Sequence, residues 1–267
     1  DPQRTSEGFR DTGYEFPTAI ADIIDNSIAA GASVIDVVLR QDFGGAVFVA
    51  VADNGCGMDR DGLINAMRYG SKRRQDASSL GKFGLGLKTA STAFCRRLSV
   101  ISRATAGAPP LKATWDLDHI AETGKWELQI GSPPSHEVQL LDKTAAGTSG
   151  TLVIWEKVDR LLSDYAKPEG KPAKNALKRH EEGLRFHIGG VYQRFLDSSD
   201  NRARQVAIRL NGALVTAWDP YCVAVTGKPV LEKQMEVAIG ESERASFTLR
   251  AFVLPAKDEW TDQDARK

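Results

Sequence analysis

Residues 20–31 read Ile20-Ala21-Asp22-Ile23-Ile24-Asp25-Asn26-Ser27-Ile28-Ala29-Ala30-Gly31, and the reading of this stretch decides the fold. At helical period, Ile20, Ile23, Ile24 and Ile28 fall on one side. Asp22 and Asn26, four residues apart, stack on the opposite side. Pro17 stands where a first-turn proline is tolerated, and Gly31 where a helix usually stops. A surface helix normally fills its front with Lys, Glu and Arg. Here the flanking positions are Ala19, Ala29 and Ala30, which leave room for something to lie against the helix. Taken alone, the stretch equally describes an ordinary core helix with two solvated polar residues. Two glycine motifs further along shift the balance.

A chain of 267 residues can bury at least one full core, and two domains are plausible. Its 35 basic and 35 acidic side chains cancel, so overall charge predicts neither nucleic acid nor an anionic membrane as partner. Cys56, Cys95 and Cys222 are odd in number and form no CxxC, which argues against a disulfide framework or zinc site and suits a reducing cytosol, or a nucleus. The longest clearly apolar run, Ala46 to Ala52, is far too short to span a bilayer. The first residues are charged and polar, so no signal peptide is expected. The missing initiator Met and the polar run Thr261 to Lys267 lead us to expect a piece of a longer protein.

In chain order, residues 1–16 read as a polar arm with scattered aromatics (Phe9, Tyr14, Phe16). After the helix, the β-branched runs Val34–Leu39 and Ala46–Ala52 predict two strands joined by a hairpin-like connection, Gln41 to Gly45. The second runs into Asp53-Asn54-Gly55-Cys56-Gly57-Met58, and Asp59 can cap a short helix to about Arg68. A long basic loop over residues 70–82 ends in Gly81-Lys82-Phe83-Gly84-Leu85-Gly86-Leu87-Lys88, where a helix should begin and run to about Phe94. Leu98–Ala104, Leu111–Leu117, Trp126–Ile130 and Gly150–Trp155 read as strands, with a Pro/Ser/Gly-rich interval before the last. Residues 167–174 form a polar linker. Residues 175–197 look helical, with Gly189-Gly190 a break. Asn211-Gly212 is the strongest hairpin signal, and Val230–Ile239 and Phe247–Leu254 add two strands. A domain boundary is expected near residue 160, giving an arm (1–16), a first domain (17–160) and a second (161–267).

Several chemistries are excluded. Every Gly-Lys pair is followed by Phe, Trp or Pro, so there is no P-loop. Gly81 to Gly86 reads GxxGxG after a polar loop, unlike a dinucleotide fingerprint. No GxSxG elbow is present. His180 and His187 lie seven apart on the expected long helix and read as surface histidines, since the zinc-protease spacing is missing.

What remains is a set. Asp53, closing a strand before Gly55 and Gly57, can accept a hydrogen bond from an exocyclic amine such as adenine's, while the glycines let backbone pass close to a flat ligand. The bland alternative is a plain DNG turn. Gly81 to Gly86 offers backbone N–H groups and a positive helix end to phosphates, against the alternative of a flexible glycine-rich loop. Lys88, one turn on, either joins those phosphates or is a solvated lysine. Each piece is weak alone; the three in this order are strong.

The set resembles the GHKL superfamily, the ATP-binding (Bergerat) fold of gyrase B, the heat-shock chaperone, histidine kinases and MutL. Ala21 to Ser27 looks like its first motif, Asp53 to Met58 its second, Gly81 to Lys88 its lid and Gly150-Thr151 its late strand. Asp25 to Ala32, Tyr69-Gly70-Ser71-Lys72 and Gly84 to Lys88 look most like MORC-type ATPases, including bacterial ones. The resemblance implies an α/β sandwich of helices on one face of a mixed sheet over residues 17–160, then a smaller transducer-like domain. It implies that Asn26 holds Mg²⁺ bridging the phosphates of ATP. Asp53 and Thr151 would bind adenine, with Gly55, Gly57 and Met58 beside it, and Ala30 would line the nucleotide. Ser71, Lys72, Gly81, Lys82, Phe83, Gly84, Leu85, Gly86 and Lys88 would close over the phosphates.

One position departs from the pattern. Relatives that hydrolyse ATP usually carry Glu where this chain has Asp22, one carbon shorter. Asp is still a competent general base, so slow Mg-dependent hydrolysis is expected. Lys257 is the candidate for the lysine that the second domain extends to the γ-phosphate. The resemblance further implies an ATP-dependent homodimer acting as a clamp or gate, with DNA engaged through parts beyond this sequence. Arg202, Arg204 and Arg209 either line a DNA path or form a solvated face. Two alternatives stay open: a histidine-kinase-like phosphotransfer domain, and a nucleotide-binding interaction module with little hydrolysis.

Overall fold

The computed structural model describes residues 2–8, 10–69, 86–219, 221–239, 243–254 and 256. The chain divides into two compact units, residues 1–216 and 217–267.

The first unit is built on an eight-stranded sheet. In chain order the strands are β1 (Val34–Gln41), β2 (Val47–Asp53), β3 (Cys95–Arg103), β4 (Leu111–Asp116), β5 (Gln129–Gly131), β6 (Gly150–Val158), β7 (Ala207–Leu210) and β8 (Ala213–Leu214). Across the sheet they run β5-β4-β3-β6-β2-β1-β7-β8. Every pairing is antiparallel except β1 with β7, so the sheet is mixed, as expected.

The apolar run of β2 is continuous because both faces of the sheet are covered. Val47, Val49 and Val51 enter the main core, while Ala50 and Ala52 enter a smaller one on the other side. β6 alternates the same way, Val153 and Trp155 to one core, Leu152 and Ile154 to the other. The main core receives α2 (Phe16–Ala29), whose Ile20, Ile23, Ile24 and Ile28 are all buried. It also receives α3 (Arg60–Met67), α4 (Gly86–Thr92), α5 (Leu117–Thr123) and α7 (Lys171–Val191). The smaller core is closed by Leu141 and Ala145 of α6 (Ser135–Ala145). Helices therefore lie on both faces, where the sequence reading placed them on one. α6 falls in the Pro/Ser/Gly-rich interval, to which the sequence assigns no element. Its inward face is only Glu137, Leu141, Thr144 and Ala145, too mixed to stand out as an apolar stripe.

The expected break near residue 160 is displaced to 216/217. β7 explains this, because it extends the sheet edge beside β1 in parallel register, Ile35 opposite Ile208. Asn211 (φ 51°) and Gly212 (φ 82°) form the anticipated tight turn into β8, and the Asn211 amide bonds both backbone groups of Leu39. α7 begins at Lys171, inside the expected linker, and runs through Gly189-Gly190 to Val191. The short α8 (Gln193–Leu196) follows it. The early residues are also less of a free arm than expected: α1 (Pro2–Gly8) precedes Arg10, which is buried. Arg10 donates Nε to the Thr92 carbonyl at 2.9 Å and pairs with Asp159.

The second unit contains a short helix, α9 (Val223–Thr226), and an antiparallel pair, β9 (Leu231–Ala238) and β10 (Arg244–Ala251). Lys257 lies outside the described residues. Among the described residues no helix is long and apolar enough to cross a membrane.

Candidate active site

The site is assembled on the polar side of α2 and the carboxyl end of β2. Asp53, the last residue of β2, is buried at 4% exposure. Its Oδ1 accepts the Gly55 N–H at 2.8 Å and its Oδ2 accepts the Ser27 hydroxyl at 2.8 Å. Burial pushes its carboxyl pKa upward, an effect opposed by the Gly55 N–H, the Ser27 hydroxyl and the Thr151 N–H. A carboxylate has about four lone-pair sites, so this one retains capacity for a further donor. Thr151 is the direct partner of Asp53 across the β2–β6 ladder. Its hydroxyl meets that of Ser102 on β3 at 3.0 Å, and Ser102 Oγ accepts the Met58 N–H at 2.8 Å. Asp53, Thr151 and Met58 are thus joined in one polar network, through Ser102, which carries no signal in the sequence.

The glycines are enforced by backbone crowding. A Cβ on Gly55 would stand 2.9 Å from Ala30, whose carbonyl accepts the Cys56 N–H at 2.8 Å. Gly57 has φ 63°, and a Cβ there would lie 2.0 Å from the Arg103 carbonyl. The second motif is therefore pressed between the end of α2 and the end of β3.

At the other end stand Asp22 and Asn26. Asn26 donates its amide to the Asp22 main-chain carbonyl at 2.7 Å, which leaves the carboxamide oxygen as the group suited to a hard cation. Asp22 Oδ2 accepts the Tyr14 hydroxyl at 2.8 Å. A Cβ on Gly86 would approach the same oxygen to 2.9 Å, so α4 begins hard against Asp22. Among the described residues no group of three or more His, Cys, Asp or Glu could hold a metal.

Lys88 does not sit where the sequence reading put it. It is buried at 1% exposure, donates to the Ala66 carbonyl at 2.8 Å, and burial lowers its pKa to about 8. Ser71, Lys72, Gly81, Lys82, Phe83, Gly84 and Leu85 lie outside the described residues.

Behind the site, Tyr192 bonds Asp25 Oδ1 at 2.8 Å and the Ala21 carbonyl at 2.9 Å, tying the end of α7 to α2. Burial, followed by the charge of Asp22, raises the Asp25 pKa. His180 is no surface histidine: its ring packs edge-on against Phe16 at 5.9 Å, and burial lowers its pKa. The three arginines considered for a DNA path are engaged within the chain. Arg202 pairs with Asp200, Arg204 caps the end of α2 at the Ala32 and Ile28 carbonyls, and Arg209 forms a two-pronged pair with Asp36.

Parts of the chain are similar to known proteins. A segment 38% identical to mouse (Mus musculus) ATPase MORC2B covers 57% of this chain and 18% of that protein. A shorter segment is 42% identical to the DNA mismatch repair protein MutL of Paramagnetospirillum magneticum, over 22% of this chain and 10% of that one. The chain therefore spans less than a fifth of the curated relatives it matches. Among solved structures, the ATPase and transducer domains of DNA topoisomerase II from Balamuthia mandrillaris align at a TM-score of 0.45 and 14% identity, covering 75% of this chain and 48% of that one. The model of the histidine kinase-, DNA gyrase B- and HSP90-like ATPases matches residues 14–148, just over half of the 267. The chain belongs to this GHKL family, and membership supports binding and hydrolysis of ATP.

Proposed function

We propose that the chain binds Mg·ATP along the polar side of α2, hydrolyses it slowly, and uses the nucleotide to drive closure of its lid segment and dimerisation. The carrying observation is the Ser27–Asp53 hydrogen bond. It fastens the adenine-side carboxylate to the same helix that presents Asp22 and Asn26, so one rigid element spans base recognition and phosphate chemistry.

In this reading Asp53 and Thr151 accept and steady the adenine amine, with Ala30 and Met58 against the ring. Asn26 is the protein ligand of Mg²⁺, which neutralises phosphate charge when bound. Asp22 takes a proton from the attacking water. Positioning and electrostatics supply most of what phosphoryl transfer needs. Asp22 is one carbon shorter than Glu, and the slow rate follows from that reach. By likeness to the MORC and MutL proteins, the assembled dimer would work as a clamp or gate on DNA, through regions beyond this sequence and with Lys257 as a candidate second-domain lysine.

The test is Mg-dependent single-turnover hydrolysis with the parent chain and Asp22→Asn, alongside light scattering without nucleotide, with ADP and with a non-hydrolysable ATP analogue. Turnover in the parent, lost in the variant while binding is kept, together with a mass doubling on the analogue, is the expected result. Tight binding without turnover would mean an interaction module. A monomer in every nucleotide state would overturn the clamp.

A further inference from the structure

Tyr14 lies before α2, in the stretch that reads from sequence as an unstructured arm, yet its hydroxyl donates to Asp22 Oδ2 at 2.8 Å. The same hydroxyl is hydrogen-bonded by the side chain of Thr89, on α4. A phenol has one proton, so Thr89 donates to Tyr14 and Tyr14 donates to Asp22. Gly86 begins the same helix, and a Cβ there would stand 2.9 Å from the same carboxylate oxygen. One oxygen of Asp22 is thereby engaged by Tyr14, and a side chain larger than hydrogen at Gly86 would press on it. Burial, then the hydrogen bond and charge of Asp22, raise the Tyr14 pKa, which keeps it a neutral donor at physiological pH.

We propose that Tyr14, oriented by Thr89, is a positioning residue for Asp22: it holds Oδ2 so that Oδ1 is presented to the attacking water. This rests on the reading of Asp22 as the general base. In the step, the water oxygen bonds the γ-phosphorus as its proton passes to Asp22 Oδ1. The bond from the γ-phosphorus to the bridging oxygen breaks, and ADP leaves with that electron pair. Tyr14 keeps its proton throughout. A fixed carboxylate makes up for reach with orientation, since a base acts only when aligned with the proton it takes.

The experiment compares the parent chain with Tyr14→Phe, Thr89→Val, Asp22→Asn and the Tyr14→Phe/Asp22→Asn double variant. Each is assayed for single-turnover hydrolysis, for binding of a fluorescent ATP analogue and for melting temperature. Tyr14→Phe is expected to lower turnover about tenfold, with analogue affinity and melting temperature as in the parent, and Thr89→Val to follow in the same direction by less. In the Asp22→Asn background Tyr14→Phe should do nothing further, because groups that act as a unit are non-additive. Parent-like turnover in Tyr14→Phe, an equal loss in both backgrounds, or a loss that tracks affinity or melting temperature would overturn the proposal and leave Asp22 as base. Full turnover in Asp22→Asn, or none in the parent, would overturn the base assignment and the proposal with it.

Discussion

Asp53 and Asp22 are two carboxylates held by one helix in opposite ways. Asp53 is buried, and each of its oxygens is met by a donor from the scaffold, one from backbone and one from Ser27. Asp22 is partly exposed and takes its donor from Tyr14, on a segment outside the sheet. The first arrangement suits recognition, where a fixed acceptor rejects a base that lacks the matching donor. The second suits a reacting group, which must meet water.

The sharpest way to break this comparison is to neutralise each carboxylate in turn. Asp22→Asn should cut single-turnover hydrolysis by roughly 10²- to 10⁴-fold, the usual worth of a general base, while ATP affinity stays within about twofold. Asp53→Asn should do the reverse. Affinity should fall about 10²-fold in calorimetric titration, because a donor now confronts the adenine amine, while melting temperature holds or rises as a buried charge disappears. If both variants lose affinity alike, the division of labour is wrong.

Next in size is Gly57→Val. The side chain would meet the Arg103 carbonyl at a positive φ, and a loss of about 2–4 kcal/mol in denaturant unfolding is expected. A neutral result would mean that the second motif is not pinned against β3.

The smallest effect concerns α7, which supports α2 from behind. Burial lowers the His180 pKa below 6.5 in the folded chain, so the unfolded chain binds this proton first. The neutral imidazole's contribution is complete above pH 6.5 and declines as pH falls through that value. Melting temperature should drop between pH 7 and 5.5, and His180→Gln should flatten that drop relative to the parent. An unchanged slope would show that His180 stays solvated.

The parts of the molecule legible from sequence were those whose signal is local. Ile20, Ile23, Ile24 and Ile28 announced α2 by spacing, Asp59 its role as the N-cap of α3, where it accepts the Gly62 N–H, and Asn211-Gly212 their turn. That Asp22, Asn26 and Asp53 lie along one side of α2 and its neighbouring strand end follows from short motifs, which fix their local spacing. Ser102 was not legible, since a serine in a strand looks the same whether or not it meets Thr151 and Met58. Tyr14 gave only the sign of an aromatic in a polar stretch. Lys88 stayed open between phosphates and solvent, because position along a helix does not say which neighbour a long side chain reaches, and here it reaches α3.

By itself the sequence carried the order and period of α2, β1, β2 and α3, because propensity and patterning act over a few neighbours. It also carried the resemblance to the family, through short motifs at residues 21–27, 53–58, 81–88 and 150–151. Only the tertiary structure decided that β7 closes beside β1 across some 170 positions, that α6 covers the second face, that Arg204 and Arg209 bond distant parts of the fold and that Tyr14 reaches Asp22. Those pairings depend on which surfaces are left to bury once the local elements exist, and that quantity belongs to the whole packed chain.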